Sequence, residues 1–303
     1  GLPEFGTSFV IGMLLESKPK NFSDLLQISG LSHGTDVWLG NAQTLLQEGK
    51  ATIATAICTR DDIMTYLINK GLEPGDAFQI MENVRKGKVA KGGCKKWDQY
   101  KEDMINHGVP DWYIWSCQKI QYMFPKAHAV AYVMMGWRIA YYKINYPLAY
   151  YAAYFSIRAD AFNYEKMCRG ANTLHYYLDD LRNRKDSLSP KEQAELKDMR
   201  IVEEMYARGF EFLPLDIFRA DPKSCTIIEG KIMPHIGSID GMGLVAAEGI
   251  ANACKEGPFI SRDDFRERSK VSKTITDKMY ELGLLGGLPE SNQLSLNDYF
   301  GEF

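Results

Sequence analysis

The sequence predicts a mainly α-helical protein with a minor β component. Three observations carry that expectation. The stretch from Phe124 to Pro147 reads as one long helix, residues 163–209 are charged and helical in pattern, and short strand-like runs gather in 210–233. A length of 303 residues fits one large domain or two to three small ones. With 45% hydrophobic and 12% aromatic residues, the chain can bury sizeable cores. Its net charge is −3, from 36 basic and 39 acidic residues, so any basic surface for nucleic acid must be local.

Residues 9–48 alternate short helical patterns with turns. Phe22–Ile28 suggests a helix capped by Ser23. Ser29-Gly30-Leu31-Ser32-His33-Gly34-Thr35 reads as a polar turn. Its hydroxyls and His33 either contact a substrate or serve as helix-capping chemistry. Cys58-Thr59-Arg60-Asp61-Asp62 opens another helix. Adjacent side chains on a helix diverge, so Asp61 and Asp62 are read as a cap or first-turn acid rather than a metal pair. Met81–Lys88 ends a helix in the cluster Arg85-Lys86-Gly87-Lys88, which suits either the helix dipole or a phosphate-facing patch. Residues 89–101 add four lysines on a surface loop.

Asp111–Ile114 leads through Ile120 into the central helix. Pro125 suits a first helical position, and Pro147 stops the pattern. Lys126 and His128 then fall in the first turns, where unpaired N–H groups and the helix dipole favour an anion. His128 and Tyr132 are four apart and share a face. A cation, an imidazole and an aromatic ring there can hold a phosphate chain with a base stacked beside it. The competing reading is a buried aromatic helix, continued by Tyr141, Tyr142, Tyr150, Tyr151, Tyr154 and Phe155 as packing residues.

Downstream, Ser189-Pro190 marks a cap and helix start, and Thr226–Ile228 is a strand-like run bounded by Glu229-Gly230. Ile239–Ile250 holds a hydrophobic-Gly-hydrophobic-Gly turn followed by a helix, the helix-hairpin-helix pattern. Lacking Cβ atoms, Gly241 and Gly243 let backbone N–H groups approach a DNA phosphate beside a helix N-terminus. A plain tight turn is the alternative. Residues 259–288, with Val271-Ser272-Lys273-Thr274, resemble the partner half of a tandem unit. The cysteines at 58, 94, 117, 168, 225 and 254 form no CxxC or Cys/His cluster, which argues against zinc and suits a reducing cytoplasm. No signal peptide or bilayer-spanning apolar run is present, so no membrane partner is expected.

Phe124-Pro125-Lys126-Ala127-His128-Ala129-Val130-Ala131-Tyr132 resembles the fingers signature of bacterial C-family replicative DNA polymerases. ISGLSHGTDVWLGNAQ at 28–43, RDDIMTYLINKGLEP at 60–74 and VRKGK at 84–88 resemble the PolC type of low-GC Gram-positive bacteria. The resemblance covers nearly the whole chain. It implies fingers over 1–160, a helical spacer over 161–212, a tandem helix-hairpin-helix domain over 213–288 and a flexible clamp-binding tail over 289–303. It further implies that Arg60, Arg85, Lys126, His128 and Tyr132 bind the incoming dNTP, with Ser32 and His33 lining its pocket. Gly241, Gly243 and Lys273 are expected on duplex DNA. The tail residues Gln293, Leu294, Leu296, Tyr299 and Phe300 resemble a sliding-clamp peptide, although Asn297 stands where that pattern has an aromatic.

In that family the two Mg²⁺ ions belong to aspartates on a palm that precedes the fingers. This chain begins at GLPEFGT, which resembles the palm-to-fingers junction. It is therefore expected to hold no metal, to lack activity alone, and to work with the remaining polymerase domains on primer-template DNA. Two alternatives stay within reach: the DnaE branch of the same family, and a DNA- and clamp-binding module with no nucleotide site. A purely structural helical scaffold is a third.

Overall fold

A computed structural model describes residues 1–292. The chain forms two compact units, Gly1–Ala140 and Tyr141–Phe303. Helices dominate both among the described residues, as the pattern predicts.

The first unit is built from α1 (Ser8–Ser17), α2 (Phe22–His33), α3 (Gln43–Gln47), α4 (Arg60–Asn69), α5 (Pro74–Arg85), α6 (Trp97–Asn106), α7 (Asp111–Lys119) and α8 (Lys126–Asn145), with the unit boundary falling inside α8's span. Its core gathers Met13, Ile28, Leu31, Ile63, Leu67, Ile80 and Met104, all fully buried. Four of these eight helices, α1, α2, α4 and α5, are capped by the side chain of the residue just ahead. Thr7 accepts from the Val10 N–H, and Thr59 forms a capping box with Asp62. Glu73 caps α5, whose first residue is Pro74.

Two expectations are corrected in α2. Its cap is Asn21, which accepts from the Asp24 N–H at 3.0 Å, rather than Ser23. The Ser29–His33 segment is not a turn but the last part of the same helix. The reason is packing. Gly30 sits against the backbone of Cys58, and a Cβ there would stand 2.6 Å from the Cys58 carbonyl oxygen. Close approach of α2 to the start of α4 offsets the ~1 kcal/mol that a mid-helix glycine costs. Past His33, Thr35 pairs in antiparallel fashion with Tyr122.

Helix α8 starts one residue later than expected. The Pro125 carbonyl accepts the Ala129 N–H at 3.2 Å, so Pro125 is the cap and Lys126 the first helical residue. Its buried positions are Ala129, Val133 and Gly136. Tyr141 and Tyr142, read as packing residues, are 54% and 52% exposed.

The second unit continues with α9 (Pro147–Ala153), α10 (Tyr164–Met167), α11 (Ala171–Asn183) and α12 (Pro190–Ala207). Pro147 ends one helix and begins the next. Ser189 and Glu192 form the capping box of α12. Tyr150, Tyr151, Tyr154 and Phe155 are buried, and Phe155 stacks on Phe162 at 4.7 Å. β1 (Thr226–Ile228) and β2 (Lys231–Met233) form an antiparallel pair. Glu229 and Gly230 between them both take positive φ, as a two-residue type I′ turn requires. Then come α13 (Leu244–Lys255), α14 (Arg262–Ser269) and α15 (Lys273–Glu281). Among the described residues, no helix is long and apolar enough to cross a membrane.

The α2–α4 packing is testable. Gly30→Ala gains about 1 kcal/mol of helix propensity but forces a methyl group onto a backbone carbonyl, an overpacking that costs about 1–3 kcal/mol. The variant is expected to unfold at lower urea concentration than the parent; an unchanged or higher midpoint would refute the close approach.

Candidate functional site

Three separate stretches converge on the short segment Gln121–Phe124, which leads directly into α8. Thr35 donates its N–H to the Tyr122 carbonyl at 2.9 Å, and its own carbonyl accepts from Gln121 at 3.1 Å. The Met123 N–H donates to the Arg85 carbonyl at 3.3 Å, which places the end of α5 alongside. The Arg60 N–H donates to the Phe124 carbonyl at 3.2 Å, so α4 and α8 begin side by side. Two helix N-termini therefore share one locality, and their unpaired N–H groups and dipoles add there.

Phe124 is the aromatic centre of this locality. His33 stacks on it at 4.9 Å, His128 meets it edge-on at 5.9 Å, and Tyr132 lies 6.2 Å away, tilted and 47% exposed. His33 is fixed on both nitrogens: Nδ1 lies 2.9 Å from the Ser29 carbonyl and from the Ser32 hydroxyl, and Nε2 lies 2.9 Å from Glu4 Oε2. The predicted residues Ser32, His33, Arg60, Arg85, Lys126, His128 and Tyr132 thus fall around one segment, drawn from four helices.

What the sequence reading missed is the acid each cation meets. Lys126 Nζ pairs with Asp62 Oδ1 at 2.9 Å, and the Lys126 N–H donates to Asp61 Oδ2 at 2.8 Å. Asp62 caps its own helix as expected, but Asp61 caps a different one. Arg60 Nε is 3.8 Å from Asp61 Oδ2, beyond hydrogen-bond range. Arg85 is paired through two nitrogens with Glu82, which also takes Lys86 Nζ at 2.7 Å. The Arg85 hydrogen bond is the main cause that holds the Glu82 carboxyl at about 2. No signal in the sequence ties Asp61 to residue 126, because the two meet only through the fold.

Beside the Lys126–Asp62 pair opens a cavity of about 490 Å³, lined also by Gln27, Tyr66, Trp112 and Tyr113. Tyr66 and Tyr113 stack at 4.3 Å. Asp61 is committed to the start of α8, and Asp62 to Thr59 and Lys126. Among the described residues no group of three or more His, Cys, Asp or Glu is gathered that could hold a metal ion. All six cysteines are free, and burial pushes the Cys58, Cys117 and Cys168 thiols up, away from reactivity.

The second candidate surface is the turn ahead of α13. Gly241 adopts φ +82°, a left-handed conformation that side chains resist. Gly243 caps α13 at φ −79° and ψ 156°, with no side-chain cap and nothing within 4 Å of where a Cβ would lie. The two glycines therefore differ: one is required by the turn, whereas the other leaves open space in front of the backbone. Leu244 and Val245 are exposed at the helix start. α15 lies against this turn, with Lys278 Nζ 3.0 Å from the Asp240 carbonyl. Lys273 is exposed at the first position of α15, behind the Ser272 cap. Gln293, Leu294, Leu296, Tyr299 and Phe300 lie outside the described residues.

Residues 1–108 match the family model of the bacterial DNA polymerase III alpha subunit finger domain, and residues 209–294 match a helix-hairpin-helix motif. These matches define the class: a DNA polymerase III alpha-subunit finger domain followed by a helix-hairpin-helix unit. The chain is 49% identical over 296 residues to the PolC-type DNA polymerase III of Caldanaerobacter subterraneus, covering 98% of this chain and 21% of the relative. The PolC-type enzyme of Bacillus cereus matches at 49% over 98% of this chain and 20% of its own length. That of Streptococcus agalactiae matches at 48% over 99% and 21%. The chain belongs to the PolC-type DNA polymerase III family and spans about a fifth of the length of these curated relatives.

The Arg85–Glu82 pair predicts an acid dependence. Glu82's folded pKa of about 2 lies below its ordinary 4.5, so its contribution to stability is complete above 4.5 and is lost as pH falls toward 2. Glu82→Gln is expected to be less stable than the parent near neutrality and to lose less between about pH 5 and pH 3. Urea unfolding at these pH values checks this.

Proposed function

We propose that this chain is the fingers and duplex-binding portion of a PolC-type replicative DNA-directed DNA polymerase. The observation that carries this reading is the convergence of Arg60, Lys126, His128 and Tyr132 around Phe124, where two helices begin. On this reading the α8 N-terminus, Lys126 and His128 take the triphosphate of the incoming dNTP. Arg60 and Arg85 add charge, Ser32 and His33 line the pocket, and Tyr132 stacks on the nascent base pair. These residues orient the nucleotide and neutralise its charge, and so promote attack by the primer 3′-hydroxyl. Magnesium arrives with the dNTP and is otherwise held by the polymerase palm.

The helix-hairpin-helix unit is assigned to the duplex backbone, with Gly241, Gly243 and Lys273 nearest the phosphates and no base sequence read. The proposed domain division is 1–160, 161–212, 213–288 and 289–303, the last carrying the sliding-clamp contact through Gln293, Leu294, Leu296 and Tyr299 or Phe300. One observation favours a second reading: Lys126 and Arg85 are already paired with acids. The chain would then serve DNA and clamp binding alone.

Kinetics separate the two. In the whole polymerase carrying this segment, Lys126→Ala and His128→Ala are expected to lower kcat/KM for dNTP ~10-fold or more, because a charge-assisted phosphate contact is worth ~1.5–3 kcal/mol. Tyr132→Ala should cost more than Tyr132→Phe, and DNA affinity should change little in all of these. Unchanged dNTP dependence supports the second reading.

For the duplex surface, Gly243→Val fits the open space but is a poorer helix cap, so it should lower the melting temperature slightly while weakening duplex binding. Gly241→Val should weaken binding and also lower stability, because φ is positive there. Binding should fall steeply with salt as counterions are released. Sequence-selective or salt-insensitive binding would count against the assignment.

A further inference from the structure

The two carboxylates at the start of α4 stand where a bound anion would stand. Asp62 faces two ways. Its Oδ2 accepts from the Thr59 N–H at 2.7 Å and the Thr59 hydroxyl at 2.9 Å, while Oδ1 holds Lys126 Nζ at 2.9 Å. Asp61 Oδ2 takes the Lys126 N–H at 2.8 Å, one of the unpaired donors that open α8. The cation and the helix end that suit a triphosphate are thus both occupied from within the chain.

We propose that Asp62, assisted by Asp61, is an internal competitor of the nucleotide triphosphate. The fingers rest with Lys126 latched to Asp62, and an incoming dNTP must take Lys126 over. This rests on the reading that Lys126 serves the triphosphate. The latch is asymmetric. Asp62 is held by Thr59, and its side chain is 15% exposed, whereas that of Lys126 is 41% exposed. The lysine, on its flexible stem, is the partner that moves. The cavity beside the pair provides room for that movement. Apparent affinity for dNTP is then reduced by the fraction of molecules in which Lys126 is free. A ligand of low negative charge competes poorly with a carboxylate already in place, so the latch favours triphosphates over less charged nucleotides.

The test is steady-state dNTP kinetics on the whole polymerase carrying this segment. Asp62→Asn keeps an acceptor for Thr59 but removes the charge, and is expected to lower the dNTP KM about two- to fivefold, the range such a partly exposed ion pair commands. Asp61→Asn, which keeps its acceptor for α8, should act in the same direction and serves if Asp62→Asn folds poorly. In a Lys126→Ala background the effect of Asp62→Asn should vanish, because it acts through the lysine. Thr59→Ala weakens the capping box without touching Lys126, and should lower thermal stability while leaving KM in place.

If Lys126→Ala raises KM but neither aspartate variant lowers it, the latch is wrong while the nucleotide site stands. If Lys126→Ala leaves KM unchanged, both fall together. A Thr59→Ala variant that lowers KM as far as Asp62→Asn would overturn the latch by tracing the effect to the helix start itself.

Discussion

The segment Gln121–Phe124 is the constraint on which the first unit's candidate site depends. It has no regular secondary structure apart from its pairing with Thr35, yet its backbone bonds reach three other parts of the chain: Thr35, Arg85 and Arg60. Each bond is worth only about 1 kcal/mol net, but leaving such buried groups unpaired costs more. The strap therefore fixes where α4, α5 and α8 stand relative to one another. Without it, Arg60, Arg85 and Lys126 would be three unrelated cations.

Bringing two helix N-termini together concentrates positive potential, which has to be balanced. Asp61 and Asp62 supply that balance from the first turn of α4, the position where acids are favoured in any case. The same two residues therefore answer a local need of one helix and a tertiary need of another. Glu82 plays the matching part for Arg85 and Lys86 at the far end of α5. These pairings leave the cations of the site charge-balanced from within the chain, and the overall charge of −3 gives no hint of it.

In the second unit the corresponding constraint is conformational rather than electrostatic. Gly241 satisfies the turn, and Gly243 leaves the start of α13 uncovered. Asp240 ties the turn to Lys278 of α15, so the exposed backbone is presented on a supported loop. The substitutions at 241 and 243 are therefore not equivalent, although the sequence pattern treats them alike.

Local chemistry was legible in the sequence. The first-turn acids of α4, the Ser189-Pro190 start, the Glu229-Gly230 boundary and the glycines before α13 each depend on residues a few positions apart, and so their signals survive in one dimension. The Ser23 and Pro125 readings missed a helix start by one or two positions, whereas over Ser29–His33 a distant contact had overridden a local preference. Ser29–His33 reads as a turn by composition, but burial of Gly30 against Cys58 carries the helix through it. Tyr141 and Tyr142 read as core by hydrophobicity, but the buried positions of α8 are Ala129, Val133 and Gly136. The candidate site divides in the same way. The residue types at 60, 126, 128 and 132 pointed to phosphate and base. That Lys126 is held by acids more than sixty positions earlier was decided only by the fold, because an ion pair depends on distance in space and not along the chain.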